Sequence, residues 1–193
     1  MFAIRLTAAL VSLAALTSCG GPPASGQHGG QPRSVVHNAA DVTFVHNMVP
    51  HHQQAVEMSA MVPGHTANRH MLVIAKDISA DQQAEIHAMT VLVGQWGESG
   101  AAVPDSHADH HGMQPMSGMV DPATIDRLQT LDGNAFDDLW LRSMIGHHQG
   151  AVTMAQDEMA HGQSKDAIDM ATNIVSAQQR EIAYMTHLLS PAQ

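Results

Sequence analysis

Two stretches of this chain place sulfur and imidazole donors at the same spacing: Met48, His51, His52 and Met58 in the first, Met144, His147, His148 and Met154 in the second. At about 100 degrees per residue, a helix gathers positions 48, 51, 52, 55 and 58 within an arc of roughly 120 degrees, so each set shares one face. Because that face also carries the apolar residues, it points inward. A lone histidine on such a face is usually a hydrogen-bonded core residue, and a methionine stripe usually fills irregular gaps. The repeated His-His pair flanked by Met is different, since burying imidazoles without partners is costly. Methionine and histidine together are metal-site chemistry. Thioethers contribute little to magnesium, calcium or manganese sites and are uncommon for zinc. Mixed Met and His sets suit copper, Cu(I) through sulfur and Cu(II) through imidazole, with silver as a surrogate.

Further donors surround these eight. His65 and His161, and Met89 and Met185, occur at matching positions of the two stretches and are additional candidates. His107, His110, His111, Met113, Met116 and Met119 lie in a Gly- and Pro-containing tract that is no stable helix face, so core filling does not account for them. Glu85 and Glu181 are suited to accept a hydrogen bond from a histidine N–H and so fix ring orientation.

The elements that must position these groups follow from an internal repeat with an offset of 96 residues. Without a gap it carries Met48 onto Met144, His51-His52-Gln53 onto His147-His148-Gln149, Gln82-Gln83 onto Gln178-Gln179, and Glu85-Ile86 onto Glu181-Ile182. The copies span 41–93 and 137–189, with 94–136 as the connection. Each reads as two helices: Phe44, Val45, Met48, His52, Ala55 and Val56 recur at helical steps until Pro63-Gly64, and Ile74, Ile78, Gln82, Glu85, Ile86, Met89 and Val93 until Gly94. Two helical hairpins with one apolar stripe each predict an all-α four-helix bundle, with the connection as a long crossover. Pro50 removes a backbone donor inside the first pattern and predicts a kink there, or a helix that begins there.

Composition narrows the function classes. The 193 residues carry a formal charge of −10, which disfavours a protein that tracks a nucleic-acid backbone and suits cations as partners. The single cysteine excludes a disulfide framework and a cysteine-held iron–sulfur cluster. Arg5 and the apolar run Leu6–Leu16 read as a secretory signal over 1–18, and Leu16-Thr17-Ser18-Cys19 looks like a lipobox. The expectation is a protein lipidated at Cys19, tethered through 19–40 to the outer side of the cell membrane, with its working domain at 41–189.

The doubled Met-x-x-His-His-Gln-x-Ala-Val-x-Met motif, followed by Gln-Gln-x-Glu-Ile-x-x-Met, resembles the bacterial DUF305 family over 41–189. The resemblance implies a ferritin-like four-helix arrangement, copper and silver binding, and Met48, His51, His52, Met58, Met144, His147, His148 and Met154 as the ligands. The expected function is copper sequestration, or copper delivery to a receiving protein, without turnover chemistry. A rival class is a ferritin-like di-metal oxidoreductase. Only Glu158-x-x-His161 has that spacing, because Val62 and His65 stand at the matching positions. A third class is a structural or pH-responsive bundle with a polar histidine core.

Overall fold

In a computed structural model of the chain, the structure describes residues 36–98 and 116–190. Among them all regular structure is helical. The elements are α1 (Ala39–His65), α2 (Arg69–Trp96), α3 (Pro122–Leu128), α4 (Gly133–His161) and α5 (Lys165–Leu189). None of these helices is long and apolar enough to cross a membrane. The signal, the lipobox cysteine Cys19, the tether up to residue 35, and His107, His110, His111 and Met113 lie outside the described residues.

Short polar caps start the helices. The Asn38 side chain accepts from the backbone N–H groups of Ala40 and Asp41, while Asp41 accepts from the Asn38 N–H, a reciprocal capping box. Asn68 and Ser164 cap α2 and α5. Pro50 neither starts α1 nor breaks it. The helix begins at Ala39 and runs through to His65. The carbonyl that Pro50 leaves without a donor belongs to His46, an exposed residue, so water can replace the lost bond. Helix α2 passes Gly94 and ends two residues later at Trp96, where Gly97 supplies the left-handed cap (φ 76°). Helix α3 was not legible as a helix from periodicity, yet Asp121-Pro122 is a start signal: Asp121 accepts from the Thr124 N–H, and Pro122 needs no partner at the first helical position.

Helices α1 and α2 pack along each other, as do α4 and α5; α1 also packs on α4, and α2 and α5 meet more lightly. Partners along α1 and α4 run in opposite senses. Asn38 reaches the His161 carbonyl at one end, His65 reaches the Leu131 carbonyl at the other, and between them Trp140 Nε1 donates to the Met58 carbonyl at 2.9 Å. The core divides into two apolar clusters. One holds Met58, Met71, Ile78, Phe136, Trp140, Met144 and Met185, and includes Leu128 of α3. The other holds Phe44, Met48, Met89, Trp96, Ala151 and Ile174. Residues 96 apart exchange clusters: Ile78 lies in one and Ile174 in the other, and likewise Met89 and Met185. The apolar interior is therefore close to two-fold symmetric about the α1–α4 contact, and a polar layer separates its halves.

Candidate metal centre

That layer is built from the doubled histidines. His51 and His52 of α1 and His147 and His148 of α4 are all fully buried. The rings of His51 and His147 touch, with centroids 3.7 Å apart and planes inclined by 31°. Each is flanked by its chain neighbour in nearly the same pose, 6.5 Å and 52° for His51–His52, 6.3 Å and 53° for His147–His148. On the outer side of each flanking ring stands a carboxylate. His52 Nε2 lies 2.7 Å from Glu85 Oε2, and His148 Nε2 lies 2.8 Å from Glu181 Oε2. In the neutral ring Nε2 then carries the proton, and Nδ1 keeps a lone pair. The two glutamates thus stand where the sequence places them, on the partner helices with access to the His nitrogens.

Five ring nitrogens in this layer make no hydrogen bond: Nδ1 of His51, His52 and His148, and both nitrogens of His147. The side chains of Gln82 and Gln178, both buried, are also unpartnered. Buried polar atoms are normally paired, and each orphan costs about 1–3 kcal/mol of desolvation. Burial holds the central rings uncharged. It pushes His51 down to about 3, helped by neighbouring His52 and His148 and opposed by the bond to Ser117. Burial together with His51, His148 and His52 holds His147 well below the usual imidazole range. Neutral imidazoles with free lone pairs are the form that a metal ion needs.

The thioethers sit on both sides of the layer. Met48 and Met154 belong to one apolar cluster, Met58 and Met144 to the other. Met48, Met58 and Met144 are buried, whereas Met154 is only partly so. The inward placement expected for Met154 is therefore incomplete. At the Met58 end, α3 and Trp140 add cover; at the Met154 end the residue matching Trp140 is the smaller Phe44, and among the described residues no helix corresponds to α3. The eight donors form a layer with sulfur on both sides rather than one closed polyhedron. Among the described residues, no three His, Cys, Asp or Glu side chains gather at metal-binding spacing.

The additional candidates lie elsewhere. His65 stacks on Phe136 and its Nδ1 engages the Leu131 carbonyl at 2.8 Å, at the far end of α1. His161 is exposed and turns to Asp157. Met89 and Met185 are buried, one in each apolar cluster. Met116 and Met119 are partly buried, on the segment that leads into α3. Glu158 and His161 do not share a site: Glu158 is buried against Asp41, which is itself fully buried and accepts from the N–H groups of Gln163 and Ser164. Burial and then Asp41 push Glu158 up to about 8. Asp41 feels the same burial, but the backbone hydrogen bonds from Asn38, Ser164 and Gln163, with the acid of Glu158 beside it, outweigh it and hold its carboxyl low.

Sequence reasoning missed the contact made by the connecting chain. His51 Nε2 lies 3.1 Å from the backbone carbonyl of Ser117. A backbone acceptor leaves no trace in residue type. Its supports do leave one: Gln54, whose side-chain amide holds both backbone groups of Val120, and Gly150, 96 residues on, over whose Cα the Ser117 carbonyl passes. On the opposite side of the layer, a groove between α2 and α5 is lined by Asp77, Asp81, Arg180, Glu181 and Tyr184. Burial and the charges of Glu181, Glu85 and Asp77 raise Asp81.

The family model described as "Domain of unknown function (DUF305)" matches residues 41–189. No curated protein matches the chain. Among solved structures, a DUF305 protein from Streptomyces coelicolor is 32% identical, with a TM-score of 0.68 over 78% of this chain and 91% of its own. A DUF305 fragment from Deinococcus radiodurans is 30% identical, with a TM-score of 0.69 over 79% and 96%. CopM in its Cu(II)-bound form is 29% identical, with a TM-score of 0.66 over 77% and 95%; CopM has also been solved with Cu(I) and with silver.

Proposed function

The chain belongs to the DUF305 family, and from that premise we propose that it is a copper-binding protein, with silver as surrogate, whose donors are the buried histidines and the methionines beside them. The observation that carries the reading is the set of five unpartnered imidazole nitrogens in one buried layer. Four of these can offer a lone pair, since one nitrogen of neutral His147 carries hydrogen; an ion accepting them would remove their desolvation cost, and the thioethers of Met48, Met58, Met144 and Met154 would favour a soft one. Glu85 and Glu181 would hold the flanking rings and strengthen their donation. The likeness to CopM supports the same ion class, because that protein has been solved with Cu(II), Cu(I) and silver. Since the ligands do not stand as a closed polyhedron, binding includes adjustment of flexible side chains, for which methionine is well suited.

The surrounding architecture in this reading is a ferritin-like four-helix bundle made of a duplicated hairpin, and the domain is carried outside the cell membrane on a lipid at Cys19. It sequesters copper or delivers it to a receiving protein, without turnover of its own. Titration of the purified chain with Cu(I), Ag(I), Cu(II) and Zn(II) tests the metal assignment. Submicromolar retention of copper and silver is expected, and replacing His51, His52, His147 and His148 together should abolish it while circular dichroism stays helical. Retention of none of these ions by the native chain would end the proposal. Labelled lipid incorporation that survives Cys19→Ala would end the anchor.

A further inference from the structure

Residues Met116–Val120 cross the α1–α4 face as a strap. Met119 N–H bonds to the Met116 carbonyl, closing a turn whose third residue, Gly118, has a φ of +82°. The turn presses on α4: a Cβ on Gly118 would stand 2.7 Å from the Gly146 carbonyl oxygen, and one on Gly150 would stand 2.0 Å from the Ser117 carbonyl oxygen. From α1 the Gln54 amide donates to the Val120 carbonyl at 2.9 Å and accepts from its N–H at 2.8 Å. Ser117 itself is exposed, whereas His51, which it touches, is fully buried. On this side an exposed residue supplies the backbone that lies against His51.

We propose that this strap both positions His51 and gates the His51–His147 pair: the Ser117 carbonyl holds the Nε2 proton of His51, and displacement of the strap admits an incoming soft cation. The first half follows from donor chemistry. A carbonyl only accepts, so the ring nitrogen facing it carries hydrogen, and Nδ1 is left as the lone-pair donor. Glu85 and Glu181 impose the same tautomer on His52 and His148. His147 alone makes no well-formed hydrogen bond through either nitrogen, and among the described residues nothing takes the place of the strap contact on its side. The second half rests on the metal reading given above and on the attachment of the strap, which consists of a few hydrogen bonds, a glycine-lined seat and the partly buried Val120 side chain against the Met58 cluster.

Gly150→Ala is the direct test, since the new methyl would meet strap backbone while alanine favours the α4 helix over glycine. Gln54→Leu removes the other attachment and serves if the first variant folds poorly. In the metal-free full-length chain, long-range proton–nitrogen spectra should show His51 as the Nε2–H tautomer. In both variants its tautomers should mix, while His52 and His148 stay unchanged. Uptake of Ag(I) should accelerate about tenfold in Gly150→Ala, as loss of roughly one hydrogen bond of closure implies, and less in Gln54→Leu. A native His51 protonated on Nδ1, or an unchanged His51 spectrum in both variants, overturns the positioning role. A changed spectrum with unchanged uptake overturns the gate alone. A native chain that takes up no Ag(I) overturns the metal reading and the gate together, leaving the spectra to decide the tautomer.

Discussion

His51 and His147 lie 96 residues apart, touch each other, and have nearly identical flanking geometry, yet only His51 has a partner for its Nε2. The difference comes from outside the matched segments. Among the described residues the connecting chain crosses one side of the contact between the two hairpins, so one half gains the strap and α3, and the other gains neither. The inner donors remain paired across the halves, while the covering residues have diverged: Gln54 against Gly150, Trp140 against Phe44, Val62 against Glu158. The layer repeats from one half to the other, and chain connectivity sets what covers it.

The largest break in the symmetry concerns stability at the methionines. Met58→Ala should cost the metal-free chain about 2–5 kcal/mol, the range for deleting a fully buried side chain, because α3 and Trp140 close over that end. Met154→Ala should cost less than half as much by urea unfolding, since Met154 is only partly buried. Equal costs would mean that the added cover has no energetic consequence.

Acid should act on the central pair next. His51 and His147 have depressed folded pKa values, so below an ordinary imidazole value of about 6.5 the unfolded chain binds protons that the folded chain refuses. Their stabilising contribution is complete above that pH. It is lost at about 1.4 kcal/mol per pH unit per ring as pH falls toward the folded values. Urea midpoints of the metal-free chain should therefore drop between pH 6.5 and 5. A flat profile would place the rings in contact with water.

At neutral pH the two rings should then respond differently to the same substitution. His147→Leu removes two orphaned nitrogens at similar volume, and the metal-free chain should gain about 1–3 kcal/mol. His51→Leu also strands the Ser117 carbonyl, so its gain should be smaller or absent. Thermal unfolding of both variants measures the asymmetry, and identical shifts would make the strap contact energetically silent.

Much of this was legible in the sequence, for physical reasons that differ from residue to residue. The histidine layer was visible because imidazoles on an apolar stripe need explaining, and Glu85 and Glu181 because helical spacing puts them on the partner face. Pro50 does not mark a helix start, because the one bond it removes would be accepted by the carbonyl of exposed His46, where water can replace it and lower the cost of an interior proline. Met154 misled because angular position sets which way a side chain points, not what covers it. Ser117 was illegible, since it acts through its backbone. Gly150 was the available clue: a glycine opposite Gln54, inside a strong helical pattern, signals close approach of another backbone.

The smallest expected effect lies at the helix end, where Glu158 faces Asp41 and its counterpart is the apolar Val62. Asp137, the counterpart of Asp41, accepts instead from the Asn68 amide at 3.0 Å. Glu158 has a folded pKa of about 8 against an ordinary value of 4.5, so the folded chain retains a proton that the unfolded chain has released. The contribution of that proton is whole below pH 4.5, declines as pH rises toward 8, and is constant above. Glu158→Gln puts an uncharged side chain beside Asp41 at every pH. The stability of the variant relative to the native chain should therefore climb from pH 5 to 8 and then level. The effect is modest because the pair lies next to the exposed His161 turn, where slight fraying lets water reach an ionised carboxylate. A relative stability independent of pH would mean that Glu158 is already ionised beside Asp41, and this end of the molecule would then be as insensitive to alkali as the Val62 end.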